Sequence, residues 1–151
     1  MSIAGRLTLL GVPPSEAVFS REKLFTAKMM GNFGLNTRYI IVPSYGSRSF
    51  ILPIAIVIHF IPDINPILYA GGKFSFGYVN GDEVCSITNT NIFGSNSKII
   101  YVPTISTNIR YGSTTVVGEP FEMWSDSEYD TSNSSQAELR VWCSYRVIKY
   151  F

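Results

Sequence analysis

Charge is the first thing this sequence has little of. Lys, Arg, Asp and Glu make up only 15% of its 151 residues, twelve basic against eleven acidic, for a formal charge of +1. So small a balance supplies no field to gather phosphate backbones or anionic lipid, and binding to nucleic acid or a membrane surface is not expected. Histidine is nearly missing too, with His59 alone and no Ser, Cys or carboxylate pattern beside it at catalytic spacing. Two cysteines, Cys85 and Cys143, are too few and too far apart for a disulfide framework or a zinc site, and both read as buried thiols. No apolar run is long. Phe50 to Ile61 is interrupted by Pro53 and His59 and falls short of the roughly 20 residues a membrane helix needs. Leu7 to Val12 is short for a signal segment and runs into Pro13-Pro14, so no leader is expected there.

What the chain does have is apolar bulk, 46% hydrophobic residues and 14% aromatic ones. That excludes disorder, and the length suits one domain. So many rings with so few ions imply that part of the exterior is hidden against partners, and a homo-oligomer is expected.

Ser20 to Gly31 reads as one short helix: Ser20 caps, Glu22 suits the N-terminal dipole, Lys28 the C-terminal one, and Gly31 ends it. Beyond Arg38 the signals are those of β-structure, short runs of Ile, Val, Tyr and Phe broken by Pro-Ser-Tyr-Gly, Gly-Gly and Asn-Gly-Asp. Strands are expected at Tyr39–Val42, Phe50–Ile61, Lys73–Val79, Ser86–Asn89, Lys98–Val102, Thr114–Val117, Pro120–Trp124 and Glu138–Tyr150. The fold class is all-β, an antiparallel jelly-roll-like β-sandwich with one short N-terminal helix. Residues 1–19 read as an arm or attachment segment, and residues 20–151 as the single sandwich domain.

The last strand alternates most cleanly, with Leu139, Val141, Cys143, Tyr145 and Val147 inward. Trp142 breaks the polarity of its other face. In Phe50–Ile61 both faces are apolar, Val57 and His59 lying on the one opposite Ile56 and Ile58. A strand apolar on both sides in a two-layer sandwich needs a subunit interface or a covering loop, which makes Val57, His59 and Trp142 the candidate interface residues.

Candidate chemistry is thin. Nucleophile-elbow, Walker-type and dinucleotide glycine patterns are missing, and Gly71-Gly72 and Asn80-Gly81-Asp82 read as hairpin turns. Asp126, Glu128 and Asp130 alternate as calcium ligands do in some loops, but Thr131 and Ala137 stand where an EF-hand needs glycine and glutamate. Asp82-Glu83 and Glu119/Glu122 have the residue type of a glycosidase pair without a spacing that brings them together. No catalytic, cofactor or metal residue is assigned. Tyr45, Tyr69, Tyr111, Trp124 and Tyr129 lie in or beside turns, where rings stack on sugars or cap the core, and Trp124 and Tyr129 are the candidate recognition loop.

The order of segments carries a resemblance. A Ser-x-Glu-led helix precedes Tyr39-Ile40-Ile41-Val42-Pro43, the long apolar strand from Phe50 to Phe60, the turn Tyr69-Ala70-Gly71-Gly72 and the alternating strand from Lys73 to Tyr78. A polar loop from Ser132 to Gln136 leads into Leu139 to Ile148, which holds Tyr145-Arg146-Val147-Ile148. This order resembles small β-sandwich structural proteins of tailed bacteriophages, which serve as head-fibre, capsid-decoration or tail-associated components of the virion. Ser125 to Asp130 departs from the shorter Gly-Asp-Gly turn of that group. The resemblance implies a non-enzymatic virion component, assembled in the host cytoplasm as a homo-oligomer, a homotrimer by preference, and attached to capsid or tail proteins. The alternative reading is a carbohydrate- or receptor-binding β-sandwich module engaging a host-surface glycan.

Overall fold

A computed structural model describes residues 17–34, 37–79, 83–103 and 117–149. Its organising element is the C-terminal strand β10 (Glu138–Lys149), whose odd residues Leu139, Val141, Cys143 and Tyr145 are essentially sealed from solvent while the even ones are half-buried. Period-two alternation of this kind holds one face to a core. β10 lies between β1 (Phe19–Thr26) and β3 (Ser49–Ile61), and β3 in turn pairs with β7 (Lys98–Pro103), all antiparallel. The second sheet runs β2 (Arg38–Val42), β8 (Phe121–Ser125), β5 (Lys73–Tyr78), β6 (Glu83–Thr88). The first sheet is ordered β1-β10-β3-β7 and the second β2-β8-β5-β6, so the chain repeatedly crosses from one sheet to the other. Eight antiparallel strands wound in this way are a jelly roll. A two-residue ladder of β4 (Leu68–Tyr69) with β9 (Tyr129–Asp130) closes one end, beside the one-turn helix α2 (Asn89–Ile92).

Phe25, Ile56, Ile58, Phe60, Leu139 and Val141 of the first sheet face Phe74, Phe76, Tyr78, Phe121 and Met123 of the second, all at or near zero exposure. At one end Phe25, Phe33, Tyr39, Phe74, Phe93 and Tyr129 form a chain of edge-to-face and stacked rings with centroids 5.0 to 5.9 Å apart. Those are the separations at which aromatic pairs add to simple burial.

The helix expected from Ser20 is corrected. Residues Phe19–Thr26 form strand β1, Phe25 sits opposite Leu139 with both fully buried, and only Ala27–Gly31 is helical (α1). Capping falls to Thr26, whose side chain accepts a hydrogen bond from the Met29 amide at 3.3 Å. Helix propensity differs by only a few tenths of a kcal/mol per residue, which a complete ladder with β10 outweighs. The sandwich thus includes Phe19, and Ala17 before it is already buried.

β6 begins at Glu83, and Asn89, expected at the end of that strand, opens α2. The strand expected at Thr114–Val117 lies largely outside the described residues, as do Asp82, Tyr111 and Tyr150. Cys143 is a free buried thiol and Cys85 a free, partly buried one, a correction to the expectation that both are buried. In β3 a bulge shifts the phase: Ala55 pairs with Ser144 but Pro53 with Tyr145, leaving Ile54 as the extra residue, 37% exposed. Inward positions therefore switch from Ile51 and Pro53 to Ile56, Ile58 and Phe60.

Candidate functional site

Register places side chains on the outer face of the first sheet row by row, since directly opposed residues of antiparallel strands share a face. One row reads Glu22, Trp142, Val57, Tyr101, and the next Leu24, Arg140, His59, Ile99. The candidate interface residues Val57, His59 and Trp142 are thus brought together at the centre of one face. His59 lies nearly parallel to the Trp142 ring with centroids 6.3 Å apart, and its Nε2 is 3.0 Å from Ser97 Oγ. All three are half-buried by neighbours within the sheet alone.

Sequence reading passed over the most exposed part of this face. Ile99 is 74% exposed, Tyr101 61% and Leu24 40%, and all three stand in the same rows as Val57 and His59. The signal was present in Lys98–Val102, where Ile99 and Tyr101 alternate with the inward Ile100 and Val102, so that both sets are apolar. Of the charges on the face, Arg140 reaches Glu138 at 3.2 Å and Glu22 at 3.7 Å, while Arg146 makes no ion pair among the described residues. The apolar strip thus runs beside a cluster of paired ions at the β1 side.

The outer face of the second sheet carries ion pairs, with Ile40 half exposed beside Glu122. Arg38 lies 4.1 Å over the Trp124 ring, donates to the Tyr78 carbonyl at 3.2 Å and meets the buried Glu122 carboxylate at 3.5 Å. Glu83 is bonded at 2.7 Å by both Lys73 and Ser75. Burial works to raise the Glu83 carboxyl, but hydrogen bonds from Lys73, Ser75 and Ser86 outweigh it and hold it below its ordinary range. Glu83 and Glu122 both stand opposite Gly77, yet each carboxylate is engaged by a cation of its own.

Tyr129 does not belong to a recognition loop. It is 5% exposed, and its hydroxyl bonds Asn89 Oδ1 at 2.8 Å and Ser125 Oγ at 2.6 Å. Burial pushes that hydroxyl up to about 12. Trp124 is half-buried under Arg38 on the outer face of the second sheet, whereas Tyr129 belongs to the separate β4–β9 ladder and is buried in the core, so the two do not form one surface. In the acidic loop, Asp126 accepts from the Lys73 amide at 2.6 Å and Asp130 from the Ser132 amide at 2.9 Å. Among the described residues no three histidine, cysteine or carboxylate side chains converge as metal ligands, and no helix is long and apolar enough to cross a membrane.

Comparison with family models and with curated proteins finds none that matches this chain.

Proposed function

We propose that the chain is a non-enzymatic structural subunit of a tailed-bacteriophage particle, a head-fibre, capsid-decoration or tail-associated component that assembles with copies of itself and with capsid or tail proteins. The observation that carries this reading is the apolar part of the outer face of the first sheet, where Trp142, Val57 and Tyr101 stand in one row beside His59 and Ile99 of the next. Apolar area on a monomer's surface costs roughly 25 cal/mol per Å² while it stays in water, and covering it is the mechanism by which such a subunit works. The near-zero net charge allows copies to approach without repulsion. The order of sequence segments, from Tyr39–Pro43 to the terminal strand, supports the phage assignment, as does a jelly roll, a fold that capsid proteins use. Location in the virion after assembly in the host cytoplasm follows from the same reading.

The test is the composition of particles and the behaviour of Val57→Asp. The protein is expected among the chains of purified virions by mass spectrometry, and Val57→Asp, which places a carboxylate at the centre of the face, is expected to stay folded by circular dichroism but to lose assembly. Absence of the chain from virions, or a Val57→Asp protein that assembles normally, contradicts the proposal.

A further inference from the structure

The first sheet has two edges, and they are built differently. β1 carries Arg21, Glu22 and Lys23 in succession along its edge, the charged pattern that keeps an unpaired strand from adding another. β7 runs Lys98-Ile99-Ile100-Tyr101-Val102-Pro103 with a charge only at its start. Among the described residues no strand pairs its outer side, and an open cleft of about 520 Å³ between β6 and β7, lined by Ile87, Ile100, Tyr101 and Val102 among others, leaves that side reachable. Lys98 and Pro103, which discourage pairing, stand only at its ends, and the stretch of high β-propensity between them, with Ile99 and Tyr101 largely exposed, is a template for pairing.

We infer that β7 pairs antiparallel with β7 of a second copy about a two-fold axis, joining two first sheets into one continuous eight-stranded sheet. This rests on the reading of the chain as a self-assembling subunit, says which edge joins copies, and puts a two-fold pair in place of the homotrimer that the resemblance implies.

Two features of the edge favour a second copy as the occupant. First, an antiparallel edge is complementary to itself under a two-fold, and with the axis perpendicular to the sheet the outer faces stay on one side. A register centred on Ile100 then sets Ile99 of each copy opposite Tyr101 of the other, an aromatic to β-branched pair of the kind that stabilises sheets. Second, the same register places each Lys98 opposite a Val102, so the only cations on the two edges stand about 13 Å apart.

The experiment is light scattering of the full chain together with amide hydrogen exchange, on wild type, Ile99→Lys and Tyr101→Lys. Both side chains are largely exposed, so the variants are expected to keep wild-type circular dichroism. Wild type is expected at about twice 16.8 kDa with the alternate amides of Ile99–Val102 that point away from β3 protected, and each variant at one chain mass with those outward amides exchanging at least tenfold faster. An oligomer of unchanged mass in both variants, or a wild-type assembly whose β7 amides exchange no more slowly than in the variants, overturns the inference while leaving the particle reading standing. A wild type that is monomeric at every concentration, and missing from virions, removes both.

Discussion

Tyr129 shows how much of this fold is held by single side chains at one end of the sandwich. Its ring stacks on Phe74 at 2° between planes, and its hydroxyl ties α2 to β8 through Asn89 and Ser125. Tyr129→Phe keeps the ring and takes from the buried Asn89 Oδ1 its donor, while Ser125 Oγ keeps its bonds to Lys73 and Ser127, so it is expected to cost about 1–2 kcal/mol in urea unfolding. The pH dependence has a definite sign. With the hydroxyl raised from 10 to about 12, the native state keeps a proton that the unfolded chain releases, so this stabilisation is complete below about pH 10 and is lost as pH rises toward 12. The stability gap between wild type and Tyr129→Phe should therefore narrow across that window; a gap that widens contradicts the assignment. Gly72 is the second such residue. Its φ of +86° is left-handed, and a Cβ there would strike the Asp126 carboxylate and lie 2.9 Å from Ser127 Cβ. Gly72→Ala is expected to destabilise by about 2 kcal/mol or more, read as a lower urea midpoint. Sequence showed a turn at Gly71-Gly72 but not this contact, because Asp126 arrives from the far side of the chain. For the same reason it set Tyr129 and Trp124 together: both flank the same loop, yet alternation within and after β8 sends one ring into the core and the other under Arg38.

At the scale of elements, the strands with strict alternation were legible and the doubly apolar β3 and β7 were placed as well, but a short segment whose spacing suits more than one period was not. β10 and β5 could be read directly, since a period of two over six or more residues has no helical counterpart. Phe19–Thr26 has apolar residues at Phe19, Leu24 and Phe25, a spacing that fits either period, and only the ladder with β10 decides it. The bulge at Ile54 was equally hidden: both halves of β3 are apolar, so a one-residue phase shift leaves no trace in the pattern. That double apolarity was the clue to the outer face, and it extends to Ile99 and Tyr101 of β7, where the same reasoning was not applied. A further element-level expectation concerns Glu83. Because its carboxyl sits below the ordinary range when folded, its contribution is present above that range and drains away as pH falls through it. Glu83→Gln should lower the melting temperature modestly at neutral pH, the ion pair being partly exposed, and the difference should vanish in acid. A difference that grows in acid contradicts the geometry around β5 and β6.

The whole molecule divides its two outer surfaces sharply. The second sheet is closed by its own ion pairs and the Arg38–Trp124 stack, whereas the first leaves Ile99, Tyr101 and Leu24 in water around Val57, His59 and Trp142. Under the proposed function, the apolar side chains left in water on that side are what assembly covers. The most direct measurement is the solution mass of the purified chain by light scattering after size exclusion, over a range of micromolar concentrations. The account expects a defined assembly of two 16.8 kDa chains, with Ile99→Lys and Tyr101→Lys lowering that mass to one chain. A wild-type chain that remains a stable, soluble monomer throughout would contradict it.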